Sequence, residues 1–331
     1  MYEIEQGFPM GKTEMRQVYC ETLEQCMQKD SRIVALDADL MTPLGIVGMW
    51  KKYPDRIYNC GIQEANMVSL AAGMAKEGMK PFVHTFGVFA SRRACDQIYM
   101  SCAYAGNAVC MVGSDPGVAS ALNGGTHAPN EDIAILRACP TMTIVEPADS
   151  CTLQKIIPQL AALETPSYLR LFRRQRPSIY SEREEFAIGS AKVLTEGGDA
   201  AVFACGIEVY EALEAAARLK KEGICIKVLD LFSIKPLDEH AVIEAAKETG
   251  AVVTAENHNI IGGMGSAVAE LLAEQYPVPM ERVGIRDRFG QVGPMDWLME
   301  HYSLTADTIV DKVKRVIERK VSGKNERKII G

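Results

Sequence analysis

The chain has 331 residues, 47% hydrophobic and 24% charged, and a formal net charge of −7 at pH 7. That length allows two α/β domains with full cores, and the acidic balance excludes non-specific nucleic-acid binding, which needs a basic face. The acidic first residues lack the apolar core of a signal peptide, and no apolar run approaches the ~20 residues of a membrane span, so a cytoplasmic protein with no membrane partner is expected.

The ten cysteines form no Cys-x-x-Cys pair, so zinc-ribbon and thioredoxin chemistry have no support. Most sit among Ala, Val and Ile, as reduced buried thiols do.

In chain order, Thr13 followed by Met15, Val18, Leu23 and Met27 predicts a capped first helix. Ile33-Val34-Ala35-Leu36 predicts a short buried strand. It ends in Asp37-Ala38-Asp39-Leu40, polar groups at a strand's carboxyl end, where open α/β sheets place their sites. A helix over 46–52 and a strand over 56–58 follow. Gly61 then lets the chain turn sharply into a helix over 63–76, with Met67, Leu70, Ala71 and Met74 at helical spacing. Glu64 falls in its first turn, where the helix dipole favours an anion.

Strand 80–84, helix 91–105 and strand 108–112 come next, then a Gly-rich loop over 113–130 carrying His127. Helix 132–138, strand 143–145, helix 152–163 and strand 167–172 complete the first unit. The alternation predicts an α/β fold, each domain a mainly parallel sheet with helices on both faces. Residues 173–185 are charged, lack a period and contain Pro177, so they read as a linker. The domains expected are therefore 1–185 and 186–331. In the second, strands are expected at 200–204, 224–229, 251–255 and 282–285, with helices at 208–221, 238–248, 265–274 and 306–319. The polar, basic tail 320–331 is expected to be mobile.

Candidate chemistry gathers in three places. Glu64 taken alone reads more readily as a surface first-turn acid than as a catalytic one. Phe86 and Phe89 lie three apart just past a strand, where they either stack on a planar heterocycle or pack in the core. Arg92, at the next such step, either binds a phosphate or is a solvated charge. His127 lies in Leu122-Asn123-Gly124-Gly125-Thr126-His127-Ala128-Pro129, where glycines permit close approach of backbone to a ligand. A loop histidine suits proton transfer or a bond to a substrate hydroxyl, or it is incidental. His84 reads as packing. The glycines within 256–266 superficially resemble a dinucleotide loop, yet no strand-linked Gly-x-Gly-x-x-Gly occurs, and a tight packing turn is expected.

Taken together, these stretches resemble the C-terminal half of a split transketolase: a pyrimidine-binding domain followed by a transketolase C-terminal domain. The marks include Gly61-Ile62-Gln63-Glu64-Ala65-Asn66-Met67-Val68-Ser69, Thr85-Phe86, Asp96-Gln97-Ile98, and Val228 through Asp238, all in the family's order. The similarity runs from about Met15 to Ile317. The resemblance implies thiamine diphosphate as cofactor and transfer of a two-carbon ketol unit from a ketose to an aldose, free or phosphorylated. Glu64 matches the glutamate bonding N1′ of the aminopyrimidine. Phe86 and Phe89 match the aromatics around that ring, and Asp39 a strand-end acid near it. His127 matches a contact to substrate oxygens, and Arg92 and Arg173 match positions near the acceptor's phosphate, with Arg174 in place of Arg173 if the register shifts by one.

In this family the diphosphate and Mg²⁺ are held by a Gly-Asp-Gly motif and a downstream Asn. The sequence has no Gly-Asp-Gly. The resemblance therefore implies an N-terminal partner subunit that carries that domain and the Mg²⁺ ligands, with no metal ligand here, and self-dimerisation within an α2β2 heterotetramer. The chain departs from the family twice. Asn123 stands where an acid usually reads a donor hydroxyl, and Asp115 where many members have His. An acid at that place repels a close phosphate, so sugar specificity is expected to differ from xylulose 5-phosphate and ribose 5-phosphate. Alternatives are a subunit similar to 1-deoxyxylulose-5-phosphate synthase or to the 2-oxoacid dehydrogenase β chain, or a non-catalytic scaffold.

Overall fold

The computed structural model describes residue 5 and residues 7–330. Its strands are β1 (Ile33–Asp37), β2 (Ile57–Asn59), β3 (Lys80–Phe86), β4 (Cys110–Ser114), β5 (Thr143–Val145), β6 (Ser167–Leu171), β7 (Lys192–Thr195), β8 (Ala200–Ala204), β9 (Ile226–Asp230), β10 (Ser233–Lys235), β11 (Val252–Asn259) and β12 (Met280–Ile285). They form two sheets, ordered β10-β5-β6-β4-β3-β1-β2 and β12-β11-β8-β9-β7. Every pairing is parallel except those of the edge strands β10 with β5 and β7 with β9.

The central strands are apolar on both faces because helices cover both, as parallel sheets require. β1 shows this residue by residue. Ile33 and Ala35 pack with Met15, Tyr19 and Leu23 of the helix Met15–Lys29. Val34 and Leu36 point the other way, into Met67, Val68 and Ala71 of the helix Glu64–Lys76. The alternation of successive side chains across a strand puts one apolar set on each side.

Several expectations need correction. The stretch expected as one helix over 91–105 is instead two wide, π-type turns, Phe89–Arg93 and Ile98–Tyr104, around a short helical turn Cys95–Gln97. Such widened turns rotate the side chains that follow them. The last helix does not end at Arg319. It runs Ala306–Ile330, and only Gly331 of the tail expected to be mobile lies outside the described residues. Lys320 anchors the extension by donating to Thr249 O at 2.5 Å and Asp199 O at 3.1 Å. The first helix lacks the expected cap: Glu14 precedes it without a side-chain cap bond.

β7, β10 and the helices Met41–Leu44 and Met295–His301 were not anticipated. β10 crosses from the second unit to hydrogen-bond the edge of the first sheet at β5. No helix among the described residues is long and apolar enough to cross a membrane.

The two units meet over a buried polar network. Arg170 on β6 is fully buried. It donates to Asp132 at 2.7 Å, to Glu146 at 2.9 Å, and to the carbonyls of Pro129 and Asn257 at 3.1 Å each. Asn257 on β11 donates to Pro116 O at 2.8 Å and accepts from Val118 N at 3.0 Å. These bonds tie the loop after β4 to the second sheet and so set where that loop can sit.

Candidate active site

The loop after β2 explains how Glu64 is presented. Gly61 has φ +72, a conformation that side chains disfavour, and its N–H is held at 2.9 Å by the Asn59 side chain. The chain then reverses into the helix Glu64–Lys76, whose first residue is Glu64. The Glu64 carboxylate is only 1% exposed. A buried charge needs partners, and two arrive from one neighbouring segment. Thr85, near the end of β3, donates to Oε1 at 3.4 Å. Arg93 Nη1 reaches both oxygens, at 2.9 and 2.8 Å.

The Arg93 guanidinium lies 4.0 Å from the Phe89 ring centroid. Phe89, Phe86 and His127 form a three-ring cluster, with centroids 6.2 Å apart for Phe86–Phe89, 5.4 Å for Phe86–His127 and 5.3 Å for Phe89–His127. His127 Nδ1 is 3.0 Å from Thr126 Oγ1. The loop carrying His127 packs against the second unit: a Cβ added at Gly125 would stand 2.1 Å from Gly290 O. Only glycine allows that approach.

Charged groups flank the rings. Arg173, just past β6, lies 5.3 Å from the Phe86 centroid and donates to Asp115 at 2.8 Å and 2.5 Å. Burial pushes the Asp115 carboxyl up, against the pull of Arg173. Asp37, at the end of β1, is buried too, and burial raises it to about 6. One of its oxygens accepts from Leu40 N at 2.5 Å and the other has no partner. His84 Nε2 lies 2.5 Å from Tyr19 Oη, and burial lowers its pKa to about 3, so the ring is neutral.

Comparison with known proteins decides what this arrangement belongs to. Residues 11–177 match the family described as the transketolase pyrimidine binding domain, and residues 189–309 the transketolase C-terminal domain. The chain is 51% identical to the 6-deoxy-6-sulfo-D-fructose transketolase subunit SqwH of Clostridium sp. (strain MSTE9), over 92% of this chain and 95% of that one. It is 36% identical to one of the subunits of the apulose-4-phosphate transketolase of Phocaeicola vulgatus (strain ATCC 8482), over 89% of this chain and 94% of that one. The chain belongs to the transketolase family.

A solved structure titled as a split gene transketolase, inactive beta4 tetramer, superposes with a TM-score of 0.87. It is 40% identical and matches 93% of this chain and 99% of that one. Transketolases form a thiamine-diphosphate-dependent family, and this chain carries the pyrimidine-binding and C-terminal domains. The residues present suit the aminopyrimidine end of that cofactor. A buried carboxylate is joined through Arg93 to the Phe89 ring, which packs with Phe86 and His127; together they offer an apolar wall for a flat ring and a polar edge for its nitrogen. Among the described residues, no group of three or more His, Cys, Asp or Glu side chains is placed to hold a metal ion.

The structure brings Glu64, Phe86, Phe89, His127, Asp115 and Arg173 of this transketolase chain into one region, linked by the contacts given above. The remaining candidates stand apart from that network. Arg92 turns to Glu131, at 2.9 Å. Asp39 is exposed, has φ +63, and accepts from Asn59 Nδ2 at 2.9 Å. Asn123 is exposed at the end of the turn Gly117–Asn123. Sequence reasoning does not single out Arg93, and Thr85 enters it only as a family mark, not as a partner of Glu64. Arg93 stands beside the chosen Arg92, and the widened turn at Phe89–Arg93 decides which of the two faces Glu64.

Proposed function

We propose that this chain is the aminopyrimidine-activating subunit of a split transketolase, moving a two-carbon ketol unit from a ketose to an aldose. The observation that carries this is the buried Glu64 carboxylate, bonded by the Arg93 that rests on Phe89 of the Phe86, Phe89 and His127 ring cluster. Thiamine diphosphate, when bound, supplies the carbanion chemistry that breaks and forms the carbon–carbon bond. The protein's part is orientation and proton control. Glu64 would hold a proton against N1′ of the bound cofactor, with its burial excluding competing water. Phe86 and Phe89 would line the face of that ring. His127, half-buried on a loop pinned by Gly125, bonds substrate oxygens and moves a proton at a hydroxyl.

The diphosphate and Mg²⁺ would be held by a second polypeptide with the Gly-Asp-Gly motif, in an α2β2 assembly. A 40%-identical relative is described as an inactive β4 tetramer, which is what a chain lacking that partner would form. Within this proposal the domains are 1–185 and 186–331, and the compartment is the cytoplasm. Asn123 and Arg92 would face the substrate, and Asp39 the cofactor, only once the partner completes the site. The substrate class proposed is a ketose bearing an acidic group at its far end. Two relatives are named for such sugars, one sulfonated and one phosphorylated.

The test is reconstitution with a partner subunit, thiamine diphosphate and Mg²⁺. Glu64→Gln should cut two-carbon transfer by at least about a hundredfold, as loss of a positioned acid–base group does. A scaffold subunit would tolerate the change. Pyruvate used in place of a ketose donor would move the chain to the deoxyxylulose-phosphate synthase type.

A further inference from the structure

One corner of the site, at the carboxyl ends of β4 and β6, gathers charged groups around a single carbonyl. Arg173 directs Nε and Nη2 to the two oxygens of Asp115, at 2.8 and 2.5 Å, and Nη1 to Pro43 O at 3.0 Å. Arg16 Nη1 donates to the same carbonyl at 2.6 Å, and its Nε to Glu14 at 2.7 Å. Arg174 is exposed and acts on Asp115 through charge alone. Arg173, Arg174 and Arg16 therefore all act on Asp115, while Glu14 pairs with Arg16 and the buried Asp37 lines the same pocket as Pro43 and Phe86. The corner adjoins the ring cluster, since Arg173 lies over Phe86. Ligands of open α/β sheets bind at just such strand ends.

Asp115 is unusual in two ways. It is 3% exposed, and it sits at φ +59, in the left-handed region. Packing alone would not favour an acid there. It occupies the bidentate edge of Arg173, the edge that would otherwise grip an oxyanion.

We propose that Asp115 is a specificity-determining residue, matching this corner to a sugar whose far end carries one negative charge, a sulfonate, in preference to a phosphate monoester. The proposal rests on the transketolase reading above. A phosphate monoester carries about −1.5 to −2 at pH 7. Brought to Arg173, it meets the Asp115 carboxylate on the same guanidinium, and like charges repel. A sulfonate presents a similar set of three oxygens with a single charge, so it meets less repulsion from the Asp115 carboxylate held on Arg173.

The experiment uses the reconstituted complex and three ketoses: 6-deoxy-6-sulfofructose, fructose 6-phosphate and uncharged L-erythrulose. The wild type should favour the sulfonate over the phosphate by at least about tenfold in kcat/KM. Asp115→Asn, which tolerates the same left-handed backbone, should raise kcat/KM for the phosphate about tenfold, mainly through KM, and change that for the sulfonate less than about threefold. Should the variant misfold, methyl phosphate and methanesulfonate can compete with L-erythrulose on the wild type. The phosphate should inhibit at least about tenfold more weakly. A wild type that prefers the phosphate, equal shifts for both sugars in the variant, or equal inhibition overturns the assignment. A complex that turns over L-erythrulose without discriminating defeats only this proposal. One that turns over none of the three defeats the transketolase reading and this with it.

Discussion

Arg93 holds Glu64 by both carboxylate oxygens from a single nitrogen, at 2.9 and 2.8 Å, while its guanidinium rests 4.0 Å from the Phe89 ring centroid. One side chain therefore fixes both the acid and a wall of the ring pocket. Charge-assisted bonds of this length are the strong ones, and Glu64 has little other support beyond Thr85 at 3.4 Å. Arg93→Met should weaken thiamine diphosphate binding by about tenfold, measured by calorimetry on the reconstituted complex, with Arg93→Lys falling between. Arg92→Met, which loses only the Glu131 pair, should bind the cofactor as the wild type does. Equal losses in the two methionine variants would show that Arg93 has no special hold on Glu64.

The His127 loop depends on an absent side chain. A Cβ at Gly125 would stand 2.1 Å from Gly290 O, so Gly125→Ala must push the loop off the second unit. The expected outcome is a loss of at least about tenfold in kcat/KM for the complex, with an unchanged far-UV spectrum. Wild-type activity in that variant would mean the contact is dispensable.

Arg170 is the structural counterpart. It neutralises two buried acids, Asp132 and Glu146, and bonds two carbonyls, that of Pro129 in its own unit and that of Asn257 across the domain boundary. Removing one member of a buried ion network leaves its partners uncompensated, at a cost of roughly 3–5 kcal/mol. Arg170→Met should lower the urea midpoint accordingly, and should also loosen the junction, read as faster amide exchange at Asn257 and Val118. A shift below about 1 kcal/mol would place Arg170 with ordinary surface pairs.

Two buried acids make stability fall as pH rises. Burial raises Asp230 to about 8 and Glu256 to about 7. In the unfolded chain such groups titrate near ~4. Between these values the folded state binds more protons than the unfolded one, so the contribution is full below pH ~4 and is lost as pH climbs through 7 and 8. The buried neutral histidines His84 and His258 contribute the opposite slope only below about pH 6.5. Above it the melting temperature should therefore decline towards pH 8.5. Asp230→Asn keeps the acceptor for Tyr180 Oη, 2.8 Å away in the wild type, and should flatten much of that slope. A variant as pH-sensitive as the wild type would remove Asp230 from the account.

Part of this was legible in the chain itself. Apolar runs such as Ile33-Val34-Ala35-Leu36, separated by helical periods, specify a parallel sheet covered on both faces, because only that packing buries them. Gly61 before Glu64 marks a sharp turn into a helix, and the turn occurs. The short elements were not legible. β10 is three residues long and owes its strand form to the exposed edge of β5, not to its own pattern.

What the sequence determined by itself is local: which residues face a core, where helices begin, and that an acid follows a tight turn. Tertiary structure alone decided the partners. Whether Arg92 or Arg93 meets Glu64 depends on one widened turn. That Arg173 closes on Asp115, 58 residues away, depends on β4 and β6 being neighbours. Periodicity reports the environment along one element, whereas strand order arises from packing all the elements together, so the charges that meet at the ends of strands emerge only in the fold.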